Sequence, residues 1–182
     1  MCTSYRPPSL LNTDNKILAK LLARRLQPMM LMLVLLEQAG FIPQRSTSQN
    51  LRTLMAVRHR VDPDLPSVAV LLDAEKAFNS LEWSFVGQIL VWMSLGRQFL
   101  RYVDLLYAGP TARVCLTNLV SSPFDIRRGT RQGCPLSPLI FALATEPLIS
   151  LVCERHPDAG DRVSYYVLVC GRYHFLRQAP DG

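Results

Sequence analysis

Apolar residues recur at helical spacing over residues 12–27, where Ile17, Leu18, Leu21, Leu22 and Leu26 fall on one face. Asn12 or Thr13 can cap this helix, and Pro28 follows its end. The stretch from Gly40 to Arg45 reads as a loop, and a second helix beginning near Ser46 to Ser48 would bury Leu51, Leu54 and Met55. Asp62-Pro63-Asp64-Leu65-Pro66 is a turn-rich break. Ser67 to Leu72 is then short, almost wholly apolar and rich in Val, the pattern of a strand buried on both faces, and it stops at Asp73. Asn79, with Glu82 three residues on, suits a helix start. Leu81, Phe85, Ile89 and Trp92 would form its buried face and Gly96 its stop.

A further helix is expected over Gln98 to Tyr107, and alternation from Ala112 to Thr117 predicts a half-buried strand that could pair with Phe124 to Arg127 as a hairpin. Arg128 to Pro135 is a Gly- and Arg-rich loop. Ser137 and Pro138 open an apolar helix running towards Cys153, bent at Pro147. Val163 to Cys170 is again β-like. Strands and helices in mixed order predict an α+β domain.

The longest apolar run, Met29 to Leu36, falls far short of the roughly 20 residues of a membrane-spanning helix. No secretory leader is legible at the start, and five widely spaced cysteines offer no CxxC pair, so a reducing cytoplasmic or nuclear setting is expected. Composition adds charge to this picture. The chain carries a formal +6 over 182 residues, and 17 of its 20 basic residues are Arg, whose planar fork matches phosphate. Nine basic against two acidic residues fall in 1–60, four against seven in 61–126, and seven against five in 127–182. Lys16, Lys20 and Arg24 share one helical stripe, which is either a solvated face or a phosphate-facing one.

A carboxylate just past the end of a buried strand, as at Asp73, sits where active sites gather, and carboxylate is the ligand type that Mg²⁺ prefers. Alone it could equally cap a turn. It is accompanied by Leu71-Leu72-Asp73-Ala74-Glu75-Lys76-Ala77-Phe78-Asn79 and, some fifty residues later, by Arg128-Gly129-Thr130-Arg131-Gln132-Gly133-Cys134-Pro135-Leu136-Ser137-Pro138. Upstream stand Tyr5-Arg6-Pro7 with Ser9-Leu10-Leu11-Asn12, and Gln38-Ala39-Gly40-Phe41-Ile42-Pro43 with Arg45-Ser46-Thr47. In this order the four stretches resemble two finger motifs and two palm motifs of the reverse transcriptases of non-LTR (LINE-type) retrotransposons, over residues 5–152.

The resemblance implies a partial right-hand polymerase fold. Fingers would occupy 1–66 and an incomplete antiparallel palm 67–170, leaving 171–182 as an unassigned tail. It implies RNA-directed DNA synthesis with Mg²⁺, an RNA template, a DNA primer and deoxynucleoside triphosphates. Asp73 would be the catalytic metal ligand, helped by the carbonyl of Ala74. Phe78 would lie beneath the sugar and exclude a ribose 2′-hydroxyl, although its residue type alone fits core packing as well. Gln132 and Gly133 would line the nucleotide pocket. Arg6, Arg45 and Arg131 would hold template or triphosphate.

The departures from the family pattern are specific. A second carboxylate pair, in an aromatic-x-Asp-Asp run, is expected on a strand beside Asp73. Tyr166 stands in the aromatic place, but Leu168 and Val169 stand where the carboxylates belong. Gln44 replaces a Gly of the second finger motif, Asn79 an Asp after Phe78, and Leu119 a Gly after Asn118. The expected function is therefore a reverse-transcriptase segment that is inactive alone. The alternatives are a nucleic-acid-binding pseudoenzyme and a protein-interaction remnant.

Overall fold

The computed structural model describes residues 9–36, 38–60, 68–73, 77–131, 133–155, 165–170 and 174–175. Helix α1 spans Thr13–Leu26; a 3-10 turn over Gln27–Met29, opened by Pro28, leads into the short α2, Met30–Leu33. The buried face of α1 is Ala19, Leu22, Ala23 and Leu26. Ile17 and Leu21, expected inside, are 55% and 53% exposed. Two small alanines let the backbone of α1 approach α6 closely, and that turns the longer side chains at 17 and 21 outward. Helix α3, Thr47–Arg60, follows. Its Leu51 and Met55 are exposed rather than buried as expected, because the main core is built by other elements; the side chain of Leu54 lies outside the described residues.

Strand β1, Val68–Asp73, forms on the expected apolar run. The helix expected from Asn79 is instead two pieces, α4 (Ala77–Ser80) and α5 (Trp83–Trp92), with Glu82 in extended backbone at the start of α5. Val86, Ile89 and Leu90 are its buried face, while Phe85 and Trp92 are 40% and 67% exposed. Helix α5 stops at Ser94, not Gly96. Ser94 takes a left-handed φ of +58°, its N–H donates to Val91 O (2.9 Å), and Leu95 N–H donates to Leu90 O (3.1 Å). This reciprocal pair caps the last carbonyls. Gly96 becomes the N-cap of α6, Arg97–Tyr107.

The expected single hairpin is two short antiparallel ladders. Strands β2 (Thr111–Ala112) and β5 (Phe124–Asp125) pair outside, and β3 (Cys115–Leu116) pairs with β4 (Leu119–Val120) inside. Helix α7 runs from Ser137 to Arg155 with Pro147 in its interior. Strands β6 (Tyr165–Cys170) and β7 (His174–Phe175) complete a three-stranded sheet of order β1-β6-β7.

That sheet is mixed. The β6–β7 ladder is antiparallel, whereas β1 and β6 run parallel from Val68↔Tyr165 to Asp73↔Cys170. The parallel pair is reached through a long crossover containing α4 to α7, which is what parallel pairing requires. The core joins α1, α2, α5, α6 and α7 around Leu26, Met30, Leu90, Leu136, Ile140 and Leu143, each at most 1% exposed. Helices with small sheets make an α+β fold, in keeping with a partial polymerase hand.

Candidate functional site

Asp73 ends β1, so the strand places it at the edge of the three-stranded sheet, opposite Cys170. Its neighbour strand carries Leu168 and Val169 across from Leu71 and Leu72. Ala74, Gln132 and Arg6 lie outside the described residues.

Five residues beyond Asp73, Phe78 is fixed by backbone rather than by its own helix. The α4–α5 break exposes carbonyls that the Gly129-Thr130 segment takes up: Thr130 N–H donates to Phe78 O (2.6 Å) and Gly129 N–H to Leu81 O (2.7 Å). Trp83 Nε1 returns a bond to Gly129 O (2.9 Å). Gly129 holds a φ of +89°, and a Cβ there would come within 2.9 Å of the Asn79 Cα and carbonyl oxygen. Only glycine permits this approach. Two motifs some fifty residues apart are thereby stitched into one surface, with Thr130 itself 3% exposed.

The Phe78 ring belongs to an aromatic column. Phe141 of α7, 3% exposed, stacks on it at 4.9 Å between centroids. On the other side Phe41 meets it edge-to-face at 6.5 Å. Gly133, at φ +81°, faces the Ser9 carbonyl, which lies 3.6 Å from the place of a Cβ, so the first finger motif also reaches this loop.

The finger segment is tied to α7 by polar groups that sequence reading did not single out. Gln38, fully buried, donates from Nε2 to Ala142 O (2.8 Å) and Thr145 Oγ1 (3.2 Å). Glu146, 4% exposed, accepts from Leu35 N–H at 2.9 Å. Arg45 donates to the carbonyls of Leu35, Gln38 (2.8 Å) and Val34 (3.3 Å), so its guanidinium closes the 34–38 turn. Arg131 donates to Leu106 O at 3.0 Å. Both arginines thus serve the fold directly. Trp83 stacks on Tyr107 at 5.5 Å beside this bond. Burial pushes the Tyr107 phenol up to about 12, and Cys134 adds to the rise against the opposing Ser137 hydroxyl and Arg131 cation. The signals for Gln38 and Glu146 were absent from local pattern, because each is buried by a partner more than a hundred residues away.

Lys16, Lys20 and Arg24 are all exposed, and among the described residues none of them makes an ion pair. No group of three His, Cys, Asp or Glu side chains that could hold a metal occurs among the described residues. None of the described helices is long and apolar enough to cross a membrane.

Residues 2–171 match the family described as reverse transcriptase (RNA-dependent DNA polymerase). The chain is 34% identical over 153 residues to the uncharacterized 149 kDa protein of transposon TX1 from Xenopus laevis, covering 84% of this chain. It is 28% identical over 129 residues, 70% of its length, to the retrovirus-related Pol polyprotein of the type-2 retrotransposable element R2DM from Drosophila melanogaster. The matched segment spans 12% of the length of each of these relatives. With the two stitched palm motifs, the finger loop against Phe78 and these relatives in view, the chain belongs to the reverse transcriptases of non-LTR (LINE-type) retrotransposons.

Proposed function

We propose that this chain is the finger and early-palm unit of an RNA-directed DNA polymerase, that it engages nucleic acid, and that it does not extend a primer on its own. One observation carries the second half of this reading: the register of β1 and β6. Nucleotide transfer in this family draws on divalent metal, and carboxylates are the ligands that hold Mg²⁺. Asp73 is the terminal residue of β1, yet the six residues paired with that strand are Tyr165, Tyr166, Val167, Leu168, Val169 and Cys170. None is a carboxylate. The residues across the sheet therefore do not fit a two-metal site, and no chemical step is assigned to one.

The remaining assignments concern binding. Phe78 would contact the sugar of a nucleotide, with Gln132, Gly133 and the Ala74 carbonyl around it. Arg6, Arg45 and Arg131 would meet phosphate. Support comes from the stitching of the Phe78 backbone to the 129–130 segment, which leads directly into the Gly133 loop, and from the seating of its ring between Phe41 and Phe141. The exposed stripe of Lys16, Lys20 and Arg24 would follow a polyanion, and RNA template, DNA primer and deoxynucleoside triphosphates are the partners this reading names.

Purified chain with a primed RNA template, Mg²⁺ and deoxynucleotides should give no extension, and Asp73→Ala should leave that background unchanged. Extension that disappears in Asp73→Ala would overturn the inactive reading. Binding to single-stranded RNA should weaken steeply with salt. Replacing Lys16, Lys20 and Arg24 together by Ala should lower the salt slope by about two, near 0.7 for each lost phosphate contact. An unchanged slope would assign the stripe to solvent.

A further inference from the structure

The aromatic column described above ends on Phe41, and two features set that residue apart. Phe41 is 48% exposed, although the residues around it in sequence, Gln38, Ala39, Gly40 and Ile42, are all buried. Its backbone holds a φ of +62°, a region that bulky L residues seldom adopt and that persists where surrounding structure imposes it. The imposing structure is visible. Gln38 is anchored to α7 through Ala142 O, Arg45 Nη1 binds Gln38 O on one side of the turn, and Arg45 N–H closes onto Ile42 O at 3.3 Å. A ring wanted only for the core would be drawn inward; this one is held out by a strained and well-anchored turn.

We propose that Phe41 is a nucleobase-stacking residue at the outer end of the Phe141–Phe78–Phe41 column. This inference rests on the nucleic-acid reading above. Phe141 is buried, Phe78 half-buried and Phe41 open, so the column carries an apolar surface from α7 out to solvent beside the nucleotide-facing loops. Every base presents a π-face, so such a platform adds affinity that is indifferent to sequence and, unlike phosphate pairing, insensitive to salt. The base could belong to an unpaired stretch of bound strand or to a nucleoside triphosphate. The chemistry is the same in both cases.

The test compares a fluorescein-labelled oligouridine with an abasic oligomer of equal length, both bound to the whole chain. The unmodified chain should prefer the base-bearing strand, and Phe41→Leu should lower that preference by roughly tenfold, within the range expected for one lost base stack. Abasic binding should not change. Phe41→Trp should keep the preference, and its emission should be quenched by whichever ligand supplies the base: oligouridine alone if a strand is read, or dTTP as well if the nucleotide is. Phe124→Leu, at a ring equally exposed but on β5, should behave as the unmodified chain. If the unmodified chain binds neither oligomer, the nucleic-acid reading fails and this inference with it. If it binds both but Phe41→Leu keeps the preference, or loses both affinities equally, the stacking role is wrong while the nucleic-acid reading stands.

Discussion

Replacing Gly129 by Ala should be among the most damaging single-methyl additions this chain can suffer. The new Cβ would lie 2.9 Å from Asn79 Cα and 2.9 Å from its carbonyl oxygen, with the carbonyl carbon at 3.1 Å. These are backbone atoms of another segment, so relief requires the two loops to separate. Separation breaks Gly129 N–H to Leu81 O, Thr130 N–H to Phe78 O and Trp83 Nε1 to Gly129 O. At about 1 kcal/mol for each of the three lost bonds, plus about 1–2 kcal/mol for a Cβ at positive φ, the loss is roughly 4–5 kcal/mol. Gly109 supplies the control. It also sits at positive φ, +55°, but nothing lies within 4 Å of its would-be Cβ. Gly109→Ala should therefore show only the cost of a Cβ at positive φ, about 1–2 kcal/mol. Equilibrium urea unfolding followed by tryptophan emission reads both variants, since Trp83 sits on the stitch itself. At a slope of roughly 1–3 kcal/mol per molar urea, the two midpoints should differ by about 1 M or more. Equal midpoints would mean that the loops are not held together by this contact.

Two further substitutions follow from backbone and burial. Gln44 holds a φ of +64° at the position where the family pattern has Gly, so Gln44→Gly should stabilise the chain by about 1 kcal/mol, read as a higher Tm; a lower Tm would show that the Gln side chain, not the backbone, governs this turn. The Tyr107 phenol ionises near 12 when folded and near 10 when unfolded, so its contribution is whole below about pH 10 and disappears as pH rises to about 12. The shift corresponds to about 2–3 kcal/mol, and Tyr107→Phe should flatten the alkaline decline in unfolding free energy over that window.

Local pattern served best where the chain's neighbours are close or where one strand carries its own signal. The apolar run ending at Asp73 marked β1, and Pro28 and Ser137 marked helix boundaries that the structure keeps within a few residues. It failed where a distant partner decides. Leu81 and Glu82 look like the first turn of a helix, yet the Phe78 and Leu81 carbonyls are claimed by residues 129 and 130, and the helix is cut in two. The face of α1 was misread because alanines 19 and 23, weak as apolar signals, are what allow α6 to approach. Gly96 attracted the helix stop by composition, although Ser94 accepts the left-handed turn. Of the candidate site, Phe78 and Gly133 stand in the motifs, whereas Gln38 and Glu146 acquire meaning only from the contact between the 35–38 segment and α7, and Phe41 only from its contact with Phe78. The resemblance implies an antiparallel palm over 67–170, yet β1 and β6 pair in parallel; an apolar strand reads the same in either direction, so local pattern offers no check on that pairing.

The parallel pairing of β1 and β6 has a kinetic consequence. Val68 meets Tyr165 and Asp73 meets Cys170, so every bond in that ladder joins residues nearly one hundred positions apart. Closing so long a loop brings no reward until the whole crossover is in place, and pairings of this kind form slowly. Among the helices between them, α5 packs on α6 and α7, which are nearer neighbours, and these can collapse first. During that interval β1 waits as an apolar strand with both edges open, the state most prone to pair with another copy of itself. Recovery on refolding should therefore fall as protein concentration rises, and emergence of β1 from the ribosome long before β6 makes it the segment most dependent on chaperone cover.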